Sequence, residues 1–171
     1  MSDSLVSNLR WYALYVRSRF EKKVDRVLQE KGVESFLPIT NEIHRWSDRK
    51  RKIKEPLIRG YVFVHTDLQN KYNILGTDGV VYIVGVHGKP TPIPEEQINW
   101  LKILIQHPQV LHRENAFSSG ERVRIFAGPF TGIKGVVTKV KGLSRVVILI
   151  DAIRQAISVD VTPDILERIG E

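Results

Sequence analysis

Gly60-Tyr61-Val62-Phe63-Val64-His65-Thr66 (GYVFVHT, residues 60–66) is a run of β-branched and aromatic residues opened by a glycine and followed by Asp67. Such a run reads as a buried strand, and the segments on either side of it decide what kind of sheet it joins. Upstream, WYALYV (11–16) has the same character and is followed almost at once by a helix. Ser18 with Glu21 three residues later reads as a capping box; Phe20, Val24, Val27 and Leu28 then recur at helical spacing, and Gly32 stops the run. VESFLP (33–38) reads as a further strand. Residues 39–56 alternate weakly around a charged centre, as a protruding hairpin or loop would.

Downstream, Asp67 suits the cap of a short helix ending near Leu75, and Gly79 precedes a strand, VVYIVGV (80–86). Pro94 and Glu95 then open a helix whose face is Ile98, Leu101, Leu104 and Ile105, ending before Pro108. Strands alternating with helices predict an α/β sandwich over residues 1–108, with a mainly antiparallel sheet flanked by helices. QVLHRENAFSS (109–119) has no clear period, so residues 109–118 read as a linker. Residues 119–171 hold short strands spaced by turn residues, GERVRIF, IKGVVTKV, SRVVILID and AISVDV, enough to close as a small all-β barrel. The fold class is therefore α+β.

Composition narrows the chemistry. The chain has 171 residues, 42% of them hydrophobic, and no cysteine, which removes disulfides, thiolate metal sites and a cysteine nucleophile. A reducing cytoplasm fits, and no stretch has the length or apolarity of a membrane span. The 26 Lys+Arg against 19 Asp+Glu give +7, and the stretch at 44–55 alone carries six basic and two acidic residues, +4. The basic character is one local feature, suited to a polyanion. The five histidines show no metal-ligand spacing, and the glycines at 76, 79, 85 and 88 are followed by no Gly-Lys-Ser/Thr, so neither a metal nor a phosphate loop is expected. No nucleophile and base stand out, which points to a binding protein without cofactor, not an enzyme.

Trp11-Tyr12-Ala13-Leu14-Tyr15, the WSDRKRKIKEPL stretch (46–57), Gly60-Tyr61-Val62-Phe63-Val64 and Gly79-Val80-Val81 together resemble the N-terminal domain of the NusG family of transcription elongation factors. GERVRIFAGPFTGIKGVV (120–137) resembles the KOW motif at the front of an SH3-like barrel, with Gly120, Val123, Gly128, Pro129, Phe130, Gly135 and Val136 as its marks. The KOW element alone would suit a ribosomal protein equally well; both domains in this order are specific. The compact Trp-Ser-Asp-Arg-Lys stretch looks more like the specialised antitermination paralogues (UpxY- and RfaH-like) than the general factor.

The resemblance implies a monomer that rides on RNA polymerase and alters its response to pause or termination signals. It implies that Tyr15, Tyr61 and Phe63, with Ile58 and Val86 as neighbours, form an apolar depression for the clamp helices of the largest subunit. Two basic sets are candidates for nucleic acid: Arg45, Arg49, Lys50, Arg51, Lys52 and Lys54 around Trp46, whose flat face suits a base, and Arg17, Arg19 and Lys23, in the region the family turns toward the non-template DNA strand. Two departures stand out. Ile58-Arg59 replaces the common Phe-Pro, and Asp151-Ala152-Ile153-Arg154 occupies the loop where general factors present an aromatic residue to a ribosomal or termination-factor partner, leaving that partner open. Residues 143–159 also satisfy two periods at once. Val146, Ile148 and Ile150 line one face of a strand, whereas Leu143, Val146, Val147, Ile150, Ile153 and Ile157 make a helical stripe. The strand reading is preferred; the resemblance to the specialised paralogues implies the alternative, a helical hairpin masking the apolar depression.

Overall fold

The computed structural model describes residues 8–45, 49–114, 120–140 and 143–170, without the side chains of residues 42–45, 51, 139 and 140. Trp46 lies outside the described residues, as do the side chains of Arg45 and Arg51. The chain divides into two compact units, Met1–Leu37 with Arg59–Ile98, and Pro38–Ile58 with Asn99–Glu171.

In the first unit, β1 (Arg10–Val16) leads to helix α1 (Glu21–Glu30) and a short β2 (Glu34–Phe36). The capping box is absent: Phe20 is the N-cap residue and makes no side-chain cap, while Glu21 is buried and its carboxylate accepts the backbone N–H of Gly60 at 2.9 Å. The glutamate that looked local thus ties the helix start to the turn before a distant strand. Val24 and Leu28 are fully buried as the helix packs on β2 and the later strand β5.

β3 (Ile39–Arg45) and β4 (Lys50–Pro56) belong to the second unit and pair as an antiparallel hairpin in register from Ile39 opposite Pro56 to Arg45 opposite Lys50. The hairpin alternative for residues 39–56 is the one realised. Leu57 N–H donates to the Pro38 carbonyl at 2.8 Å and closes its base.

β5 (Tyr61–Thr66) returns to the first unit, followed by α2 (Lys71–Leu75), β6 (Val80–Ile83) and the two-residue strands β7 (Gly85–Val86) and β8 (Lys89–Pro90); α3 (Glu95–Leu104) begins in the first unit and belongs to the second from Asn99 onward. Asp67 does cap the turn before α2, accepting from Gln69 N–H at 2.9 Å. The sheet runs β2-β5-β1-β6 and is antiparallel throughout. The strand expected over residues 80–86 is two: β6 ends at Ile83, Val84 N–H still donates to the Ala13 carbonyl of β1 at 2.8 Å, and β7 pairs with β8 instead. Ile98, Leu101 and Leu104 of α3 are fully buried, while Ile105 is not.

The remainder of the second unit is β9 (Leu111–Glu114), β10 (Glu121–Ile125), β11 (Lys134–Val140), β12 (Leu143–Ile150), β13 (Gln155–Val161) and β14 (Leu166–Arg168), an antiparallel sheet in the order β14-β10-β11-β12-β13-β9. The C-terminal domain is all-β. Val146, Ile148 and Ile150 are fully buried, so period two governs residues 143–150. β12 is hydrogen-bonded on both sides, to β11 and β13, which satisfies the backbone groups that a helix would pair internally. The N-terminal part of the expected linker is β9, which covers the edge of β13 from Ala156 to Val159. Its side chains fasten it. Asp160 accepts from Arg145 at 2.8 Å and bonds His112 at 2.7 Å, and Arg113 donates to the carbonyls of Leu57 (3.0 Å) and Pro56 (2.8 Å) at the hairpin base.

Candidate functional site

Alternation along β1 and β5 puts Trp11, Ala13 and Tyr15 on one face with Phe63 and Tyr61. Pairing adds Tyr82, which stands opposite Tyr15 on β6 as Tyr61 does on β5. Three tyrosines therefore lie side by side across three adjacent strands. Tyr15 stacks on Tyr82 (centroids 5.1 Å, planes 21° apart) and meets Tyr61 edge-on at 5.6 Å. Tyr15 and Tyr82 are 37% and 49% exposed; Tyr61 is half-buried. Burial, followed by the neighbouring Tyr82 and Tyr15, raises the Tyr61 phenol above its ordinary value, so it stays a neutral donor.

The other residues expected on this patch separate. Phe63 is fully buried, packed 6.2 Å from Phe36, because the strand end that exposes Tyr61 is covered two residues further along; Ile58, which precedes the strand, is 3% exposed and also a core residue. Val86 is 60% exposed on β7, and Val81 is 49% exposed beside Tyr82. Tyr82 is the member that sequence reasoning missed. Its only signal was an aromatic residue inside a strand whose pairing partner no local pattern names.

The turn between β1 and α1 carries the first basic set. Arg17 and Lys23 converge on Asp78: Arg17 pairs with its Oδ1, and Lys23 Nζ lies 2.7 Å from Oδ2. The hydrogen bond from Lys23, then the charges of Lys23 and Arg17, hold the Asp78 carboxyl below its ordinary range. Both cations also sit over the ring of Phe20, at 4.5 Å and 5.1 Å from its centroid. Gly79 makes this possible. Its φ is +101°, and a Cβ there would lie 2.6 Å from Phe20 and 2.9 Å from Val24, so only glycine lets the Asp78 turn approach α1. Arg19 is exposed at the tip of the turn with φ +67°.

On the hairpin, Lys50, Lys52 and Lys54 are exposed and share one side of β4, with Ile53 and Glu55 on the other, partly buried. Arg49 is exposed at the start of β4. In the C-terminal domain, Val123 and Phe130 are buried, Gly128 has φ +83°, and a Cβ on Gly120 or Gly135 would strike the Val137 or Val147 carbonyl at 2.6 or 2.4 Å. Val136 is partly buried and Pro129 exposed, so these residues shape the barrel turn more than they present a surface. Ile153 is buried and Arg154 takes φ +51°, leaving no aromatic at that loop. Among the described residues no group of three or more His, Asp or Glu side chains could hold a metal ion, and no helix is long and apolar enough to cross a membrane.

The family model described as transcription termination factor NusG matches residues 9–102. The transcription termination/antitermination protein NusG of Campylobacter jejuni is 29% identical over 154 residues, covering 82% of this chain and 87% of the relative. That of Staphylococcus carnosus is 28% identical over 177 residues, covering 94% and 96%. A solved structure of Thermotoga maritima NusG aligns over 95% of this chain and 98% of its own with a TM-score of 0.59 at 22% identity, a likeness of fold.

Proposed function

Since this chain belongs to the NusG family, we propose that it is a specialised elongation and antitermination factor, binding RNA polymerase through the Tyr15, Tyr61 and Tyr82 patch and suppressing pausing or termination on particular operons. The observation that carries the reading is the tyrosine trio, Tyr15 and Tyr82 exposed and Tyr61 half-buried: three aromatic rings side by side on one sheet face suit a partner helix, where a few such anchors supply most of the binding energy. The partner is the clamp-helix pair of the largest subunit. Residues 1–108 hold the polymerase-binding domain and residues 119–171 a KOW barrel free to recruit a further partner. Arg49, Lys50 and Lys52 on the hairpin and Arg17, Arg19 and Lys23 at the strand-helix turn lie along the non-template DNA.

A factor of this kind needs no chemistry of its own. It shifts the polymerase between active and paused forms by binding one better than the other.

The curated relatives carry the general NusG name and align over most of their length, which favours a second reading, a general factor acting on all transcription units. Mapping the tagged protein across the genome separates the two: occupancy confined to a few operons supports the specialised reading, and occupancy tracking polymerase everywhere supports the general one. Co-purification with ribosomal subunits and no polymerase would overturn both.

A further inference from the structure

We propose that Asp78 is a built-in competitor for nucleic-acid phosphate, an aspartate that occupies the Arg17 and Lys23 pair until a single-stranded DNA backbone displaces it. This rests on the reading that the β1–α1 turn contacts DNA, and it adds a residue that sets how readily that contact forms.

The geometry supports a site, not a chance surface pair. Arg17 and Lys23 come from different elements, β1's end and α1, and meet on the two oxygens of one carboxylate. Two cations held on two oxygens of an anion is also the arrangement a phosphodiester takes, and arginine's fork fits either. Both cations remain anchored when the carboxylate leaves, because each lies over the Phe20 ring. The pair is therefore preorganised for an anion, which lowers the ordering cost of binding one.

Asp78 itself is replaceable. Its side chain is 61% exposed and sits on a turn whose backbone is held by the bond from Arg17 N–H to the Gly79 carbonyl at 2.8 Å, so it can swing into water without disturbing the sheet. While in place it cancels one of the two charges, and as a tethered group it competes at high effective concentration. Free DNA then binds this turn weakly, whereas a strand already positioned by other contacts can win. The carboxyl is held below its ordinary range, so mild acid does not release it.

The test uses the full chain and a 20-nucleotide single-stranded DNA, with affinity measured from 50 to 300 mM salt. Asp78→Asn is expected to tighten binding several-fold and steepen the salt dependence, by about 0.7 in log–log slope for each phosphate gained. Asp164→Asn, an equal charge change on an exposed residue of the other unit, controls for net charge and should move neither quantity as far. Arg17→Ala or Lys23→Ala in the Asp78→Asn background should erase the gain. If the lysine and arginine variants weaken binding but Asp78→Asn matches Asp164→Asn, Asp78 is no competitor and the inference falls. If none of the three positions alters binding, the turn does not contact DNA and the underlying reading falls with it. Equal circular dichroism melting curves verify that each variant is folded.

Discussion

Tyr82 and Phe63 are both aromatic residues on the same sheet face, yet substituting them should have unlike effects. Tyr82 is half exposed, so Tyr82→Glu is expected to leave the melting temperature nearly unchanged while weakening polymerase binding by about 2 kcal/mol or more, roughly 30-fold, as loss of an aromatic anchor does. A pull-down with purified polymerase beside a melting curve checks both halves, and normal binding by the variant would discard the patch. Phe63 is fully buried, and Phe63→Ala should cost about 3–5 kcal/mol in urea unfolding, a large part of the roughly 5–15 kcal/mol that holds a typical domain together. Alternation along β5 puts Tyr61 and Phe63 on one face. Alternation carries no information on how far along that face the covering layer extends, and the resemblance that placed Phe63 and Ile58 in an apolar depression carries none on their burial; both are buried.

At the scale of elements, long periodic segments were legible and short edge elements were not. The strands at 11–16 and 60–66 and the helix at 95–104 announce themselves because each buries several side chains at one spacing. β9 does not, since a four-residue edge strand shows too few repeats, and its identity comes from the edge of β13 that it covers. The start of α1 misled for a related reason: Glu21 has the spacing of a cap, but its partner is Gly60, 39 residues on.

The ion cluster that fastens β9 gives a pH-dependent expectation. The hydrogen bond from Arg145, with His112 adding to it, lowers the Asp160 carboxyl in the folded state. A group lowered on folding stabilises above its unfolded value, about 3.9 for Asp, and loses that contribution as pH falls through the folded value below it. Asp160→Asn should thus lower the urea midpoint at pH 7, and the gap from the parent protein should close at strongly acid pH. For the hairpin, Arg49→Gln, Lys50→Gln and Lys52→Gln together should flatten the salt dependence of single-stranded DNA binding, by about 0.7 in log–log slope for each phosphate that is no longer neutralised. An unchanged slope would place the hairpin away from the nucleic acid.

For the molecule as a whole, the chain's division into units was not visible in any local pattern. The hairpin at residues 38–58 groups with the C-terminal strands, and Arg113 reaching the Pro56 and Leu57 carbonyls is part of the reason. No local pattern encodes a side chain bonding to backbone 56 residues away. The ambiguity over residues 143–159 was real in the sequence and is resolved only by neighbours, because β12 gains ladder partners on both sides that a lone segment lacks. β9 has a further meaning for solubility. A fragment beginning at residue 119 would bare the backbone of Ala156–Val159 along one margin of the sheet, and an unpaired margin of apolar strand recruits another copy. Such a fragment should self-associate as its concentration rises, while one beginning at residue 107 stays monomeric, a difference that sedimentation equilibrium reads directly. On this expectation β9 guards a sheet margin against aggregation, and removing it would harm the behaviour of the strands it covers before it altered their fold.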